Sequence, residues 1–404
     1  MSLSVPKRRV LAFVEYYLPG FRAGGPMRSV SALVAQLGDE IDFRVVTRDR
    51  DEGSAAPYPK VLSGEWLPVG KARVRYLAPR EITTRRLVTI VNKVQPDVVY
   101  LNSLFAPMTV RLLAARRLGA LKGIPILLAP RGELSPGARR LKALKKSIFL
   151  RLSHWTRLHD GVVFQASTLG EQGKIASEFP LNEIPRVARN PVNLRATVRT
   201  GVKERGSARI VFLGRITRVK NLHLAIEHIR SLKGSIAFDI YGPVIDESYW
   251  RECRALLASM PSNIAVSYQG PIAHELVAST LSAHDIFFLP TAGENFGHAI
   301  VEAFLAGCPV VISDQTPWRG LEQRGVGWDL KLEDTAAWRR ALQTCVDMDA
   351  DSYARASANC QSFGNSIAAV DTFEENRHLF RSMFEQHAFL TLADGKTRRL
   401  TRAS

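Results

Sequence analysis

A chain of 404 residues with 46% hydrophobic content has material for two domain cores, and its longest apolar runs are strand-sized rather than membrane-spanning. Four scattered cysteines without a CxxC pair point to a reducing compartment and away from a zinc site. The net charge of +17 is lopsided: residues 1–190 hold 31 Lys/Arg against 15 Asp/Glu, the remainder 24 against 23, so the first half is suited to face a polyanion, anionic lipid or nucleic acid.

The first apolar stretch, Val10 to Val14 behind Lys7, Arg8 and Arg9, is too short for a signal peptide and reads as a first strand. Gly24 and Gly25 precede Pro26 and a predicted helix, Met27 to Leu37. Two readings stand for the glycines: a close backbone approach to a phosphate, or a plain flexible loop. They do not form GxGxxG, which disfavours a dinucleotide site. Phe43 to Thr47 is the second strand. Asp49-Arg50-Asp51 mimics a DxD metal motif but precedes a Gly/Pro-rich loop and reads as loop acids.

Strands are predicted over 74–77, 98–101 and 124–128, with a helix over 110–121. Arg131 follows the last of these strands. It could hold an acceptor phosphate or the donor, or pair with Glu133 at the surface. Residues 139–157 contain no acid. Leu141, Leu144, Ile148, Leu152 and Trp155 recur there at helical spacing among Arg139, Lys142, Lys145, Lys146 and Arg151. Such a helix suits a membrane surface; the alternative is a core-facing apolar stripe with an ordinary solvated face, and the two are compatible if the stripe is buried while the lysines meet anionic headgroups. A strand over 161–165 follows, with Ser167, Thr168 and Glu171 suited to capping the next helix. Residues 193–208 are polar and aperiodic and read as a linker between a first domain, 1–192, and a second, 209–370.

The second domain opens with strand 209–213, then Gly214-Arg215 and Lys220-Asn221 before a helix from Leu222. An Arg can fork onto two phosphate oxygens and a Lys adds a point charge. Strands over 236–241 and 264–268 end at Gly242 and at Gly270-Pro271. Residues 285–320 then form a strand–loop–helix–strand unit. Glu294 lies in the loop, Phe296 and Gly297 at the helix mouth, and Glu302 inside the helix. Eight helical steps would separate the two carboxylates by about 12 Å, the reach of a nucleotide sugar, with an anion-binding helix N-terminus between them. A short strand over 325–330 and helices over 334–390 follow. The last of these is 371–390, and 391–404 is expected to be a disordered tail.

The run from Glu294 to Glu302, with ENFGH, EAFLAGCPVV and SDQTPW around it, resembles the Glu–seven residues–Glu motif of retaining glycosyltransferases of family 4. That resemblance implies the GT-B fold: two facing Rossmann-like, doubly wound α/β domains with the active cleft between them. In the family that the 294–302 run resembles, the last helix, here 371–390, crosses back onto the first domain. It implies a hexose-type sugar passing from a nucleotide diphosphate donor to an acceptor hydroxyl with retention at the anomeric carbon. Glu294 would take hexose hydroxyls, Arg215 and Lys220 the pyrophosphate, and Asn295, Phe296 and Gly297 the phosphate. Glu302 would take the ribose diol, with Gly24 and Gly25 against the ligands from the other domain. Many relatives place a His where this chain has Arg131, a departure at the sugar contact.

No metal and no cofactor beyond the donor is expected. The basic half, with the resemblance, implies a lipid-linked glycan acceptor and a cytoplasmic enzyme peripheral to the inner face of the membrane, in bacterial capsule or lipopolysaccharide synthesis. Two other classes compete: a GT-B epimerase acting on the nucleotide sugar alone, and a nucleic-acid-binding protein. The second has no recognisable motif here.

Overall fold

The computed structural model describes residues 7–121, 123–135, 137, 143–181, 183–191, 202–370 and 372–400. The chain divides into two compact units: Met1–Pro191 with Asp371–Ser404, and Val192–Val370.

The first unit is built on strands β1 (Arg8–Phe13), β2 (Ile41–Arg48), β3 (Trp66–Val69), β4 (Ala72–Leu77), β5 (Val98–Asn102), β6 (Ile126–Ala129), β7 (Val163–Ala166) and β8 (Arg186–Val187). They form one sheet in the order β3-β4-β2-β1-β5-β6-β7-β8, parallel except for the β3–β4 pair. The central strands are apolar on both faces, as burial between helical layers demands. Helices α1 (Gly25–Leu37), α2 (Thr84–Val94), α3 (Pro107–Arg117), α4 (Ala143–Trp155) and α5 (Leu169–Glu178) belong to this unit. Edge strand β3 was not anticipated: Pro68 argues against a strand, yet an edge position spares the missing N–H. Helix α2 was also missed. Its β-branched run reads as strand, but Thr83 Oγ1 accepts from Arg86 N–H and caps it.

Of the readings open for residues 139–157, helix α4 does not fit the core-facing stripe. Leu150 and Ser153 face the core, whereas Leu144, Ile148, Leu152 and Trp155 are exposed. Arg139, Leu141 and Lys142 lie outside the described residues.

The second unit holds β9 (Ser207–Leu213), α6 (Leu222–Ile229), β10 (Ser235–Tyr241), α7 (Glu247–Leu257), β11 (Ile264–Gly270), α8 (His274–Ser282), β12 (Ile286–Leu289), α9 (His298–Leu305), β13 (Val310–Ser313), β14 (Gly327–Leu330), α10 (Thr335–Asp347) and α11 (Ala350–Ala368). Its sheet is wholly parallel in the order β11-β10-β9-β12-β13-β14. Successive strands run outward from β9 to one side, then from β12 to the other. The order therefore reverses between β9 and β12, where open α/β sheets place their ligands beyond the carboxyl ends.

Residues 192–201, most of the predicted linker, lie outside the described residues. Its end is fixed on the second unit: buried Lys203 donates from Nζ to the carbonyls of Glu204, Ser207, Val346 and Met348. After α11 the chain returns to the first unit as α12 (Thr372–Leu400). Phe380 meets Phe43 and Tyr100 edge-on, and Asn376 bonds the Arg189 carbonyl. This helix extends through Leu400, into the stretch expected to be a tail. Residues 401–404 lie outside the described residues.

Candidate active site

The two loops at the β9/β12 reversal carry the charged residues that the sequence singles out. Beyond β9 comes Gly214-Arg215, then a short 3-10 turn, Arg218–Lys220. Beyond β12 comes Pro290 through Asn295. The loops are stitched by backbone and side chain. Ala292 N–H and Thr291 Oγ1 both donate to the Val219 carbonyl, at 2.7 and 3.1 Å. Asn221 Nδ2 donates to the Pro290 carbonyl at 2.9 Å. Asn221 itself sits in the left-handed region, φ 53°, where it turns the chain into α6. The result brings Lys220 Nζ onto Glu294 Oε1 as a hydrogen-bonded ion pair, with both side chains largely buried.

Arg215 is half-buried immediately beyond Gly214. Arg218, which the sequence pattern does not include, pairs instead with Glu252 and lies over the Tyr249 ring. The strand ends here approach closely: a Cβ on Gly242, at φ 144°, would sit 1.9 Å from the Gly214 carbonyl oxygen.

Glu294 N–H is held by the Gln315 carbonyl at 2.9 Å, so the carboxylate leaves a fixed backbone. Asn295 is half-buried in the same loop. Phe296 is buried, and Trp318 Nε1 donates to its carbonyl at 2.7 Å. Gly297 is the N-cap of α9 at φ 80°, and a Cβ there would meet Ile300 Cδ1 at 2.8 Å. Only the second half of the Glu294–Glu302 interval is therefore helical; the first half is loop, and the fully helical spacing of the sequence reading does not apply. The first-turn amides of α9 form a site suited to an oxyanion beside Glu294.

Glu302 is buried on α9, with His274 Nδ1 of α8 at 3.6 Å. Sequence reasoning missed His274. Its only signal was its place three residues after Pro271, just beyond the end of a predicted strand. Trp318 was quoted within SDQTPW but given no role.

Gly24, Gly25 and Arg131 belong to the first unit. Gly24 caps α1 at φ 71° and a Cβ there would meet nothing within 4 Å; Gly25 is the first residue of α1. Arg131 does not pair with Glu133. Its guanidinium donates to Asn102 Oδ1, Tyr100 Oη and Asn190 Oδ1. Tyr100 Oη in turn donates to Gln165 Oε1 at 2.6 Å. Glu133 instead accepts from Phe105 N–H at 3.1 Å, and burial pushes its carboxyl up to about 7. The DxD-like pair is engaged locally: Asp51 accepts from the Phe21 and Arg22 amides, and Asp49 pairs with Arg50. Among the described residues, no three His, Cys, Asp or Glu side chains are grouped to hold a metal ion.

Residues 197–362 match the family model described as glycosyl transferases group 1. The matched stretch falls within the second unit. HepE from Anabaena, solved in complex with UDP and glucose, superposes with TM-score 0.68 at 16% identity, over 93% of this chain and 99% of that one. Sucrose-phosphate synthase from Thermosynechococcus elongatus gives 0.66 at 15%, over 98% and 100%. WaaG, described as a glycosyltransferase involved in lipopolysaccharide biosynthesis, gives 0.63 at 14%, over 92% and 98%. Comparison with curated proteins finds no match. At these identities the likeness shows the fold, which is GT-B.

Proposed function

We propose that this chain is a retaining glycosyltransferase of the family 4 type, moving a hexose from a nucleotide diphosphate sugar to a lipid-linked glycan in surface polysaccharide synthesis. The observation that carries the donor half is the Lys220–Glu294 pair at the strand-order reversal, beside the α9 N-terminus. A cation there meets the pyrophosphate, and a carboxylate held by its own backbone meets sugar hydroxyls. HepE, of the same fold, was crystallised with UDP and glucose, which supports a nucleotide-sugar donor. The description of WaaG supports the surface-polysaccharide half.

The difficult part of the reaction is the charge that builds on the departing diphosphate. Arg215, Lys220 and the α9 amides stabilise it, in a polar frame already fixed by the stitched loops. Glu294 orients the hexose, and Glu302 with His274 takes the ribose diol. The departing phosphate itself accepts the acceptor proton. Activity is placed on the inner face of the membrane. Donor identity is tested by thermal shift against a nucleotide-sugar panel, followed by transfer to lipid-linked acceptors with the anomeric configuration read by NMR. Product of inverted configuration would refute retention. Isomerised nucleotide sugar without acceptor would mark an epimerase instead.

A further inference from the structure

Helix α4 leaves an apolar stripe uncovered. Leu144, Ile148, Leu152 and Trp155 are 74%, 49%, 54% and 82% exposed. At about 100° of rotation per residue these four fall within an arc of about 80°. On the same wheel Arg151 borders one edge of the arc and Lys145 the other, and both are exposed. The opposite face is anchored: Leu150 and Ser153 are buried, and Phe149 meets Phe105 edge-on at 5.4 Å.

The surface continues past the helix. Arg117 Nε donates to the Thr156 carbonyl at 3.0 Å, so its exposed neighbour Leu118 lies close to Trp155. Arg157 is exposed at the same end and pairs with Asp160. No acid occurs in 139–157, and residues 1–190 carry nearly all of the chain's excess positive charge. A contiguous apolar stripe of this size on a soluble face signals an occupant.

We infer that α4 is the element by which this protein lies on an anionic phospholipid surface. Leu144, Ile148, Leu152 and Trp155 enter the acyl boundary, and Lys145, Arg151 and Arg157 meet headgroup phosphates. The geometry selects a bilayer over a protein groove. The apolar strip is one helix wide, ends in a Trp, and is bordered on both sides by cations, as an in-plane helix requires. The inference deepens the lipid-linked acceptor reading and rests on it only for the purpose of the contact; the surface itself is defined by the residues above.

The test uses the full chain and vesicles of phosphatidylcholine with or without phosphatidylglycerol. Wild type floats with the anionic vesicles at moderate salt and at least tenfold less with phosphatidylcholine alone. The Leu144→Ser/Ile148→Ser/Leu152→Ser/Trp155→Ser variant loses at least tenfold in partitioning, and Lys145→Glu/Arg151→Glu loses flotation selectively at low apolar cost. These side chains are exposed, so the thermal midpoint and the shift induced by nucleoside diphosphates stay at wild-type values. Flotation of the quadruple variant at the wild-type level overturns the assignment. So does a wild type that ignores anionic vesicles, or one that forms a dimer the quadruple variant cannot. A wild type that binds nucleoside diphosphates but does not float with anionic vesicles sinks the lipid contact alone. Retained flotation without nucleotide-sugar binding sinks the transferase reading alone.

Discussion

Lys220 Nζ donates a hydrogen bond to Glu294 Oε1 across 74 residues of sequence. The ammonium holds the carboxylate in place, and in the proposed reaction the same ammonium meets the diphosphate of the donor. Lys220→Met and Glu294→Gln should each lower the transfer rate by about 100-fold or more, roughly 3 kcal/mol of transition-state stabilisation. The double variant should fall little below the worse single, because the two act as one unit. Initial rates with the best donor, alongside circular dichroism to confirm folding, check this; simple additivity would separate the two roles.

His274 stands beside Glu302, the residue proposed to take the ribose diol. His274→Ala should raise KM for the donor about three- to tenfold, near 1 kcal/mol, and leave kcat almost unchanged, since the contact is uniform through the reaction. Steady-state kinetics measure the split, and a fall in kcat alone would place His274 at the chemistry instead.

Arg131 is committed to Asn102, Tyr100 and Asn190 inside the first unit. Arg131→Ala should destabilise the protein by about 2–4 kcal/mol by orphaning these acceptors. Donor KM well below the melting temperature should stay within twofold of wild type. A large rise in KM at unchanged stability would make Arg131 a donor contact.

Glu133 titrates at about 7 in the folded chain against an ordinary 4.5, because burial disfavours its charge. Between those values the folded state binds more protons than the unfolded one, so this group's contribution to stability falls as pH rises from 4.5 to 7. Glu133→Gln should remove that dependence. Its stability relative to wild type should improve by about 3 kcal/mol between pH 4.5 and pH 8, read as converging or crossing thermal midpoints. Parallel midpoints across that range would show that Glu133 is not proton-linked to folding.

Lys203 spends its buried ammonium on four backbone carbonyls. Lys203→Met should cost about 3–5 kcal/mol by leaving those acceptors unpaired, lowering the second unit's thermal midpoint by roughly 6–15 °C. Differential scanning calorimetry that resolves the two units checks it, and an unmoved transition would show the carbonyls find water instead.

Much of this was legible in the sequence, for identifiable reasons. Short apolar runs stopped by Gly or Pro, such as Ile286 to Leu289 before Pro290, reveal buried parallel strands. Gly214-Arg215, Lys220 and Glu294 stand at strand ends, where the sheet order puts ligands. What stayed hidden depends on tertiary partners. Nothing local says that Asn102 and Asn190 will claim Arg131, or that α8 will carry His274 to Glu302. The α4 stripe shows the same limit: spacing shows a helix with two faces, and only packing decides which face the core takes.

The neighbouring placement of β9 and β12 also bears on synthesis of the chain. Five intervening strands and helices (α6, β10, α7, β11 and α8) must leave the ribosome before the second loop exists, so a nascent polypeptide cut short of residue 294 has Arg215 and Lys220 without the Glu294 carboxylate. Acquisition of donor affinity thus marks the moment when the second sheet closes around its centre. A stalled-chain series extended through residues 280–320 would register that moment as an abrupt onset rather than a gradual rise.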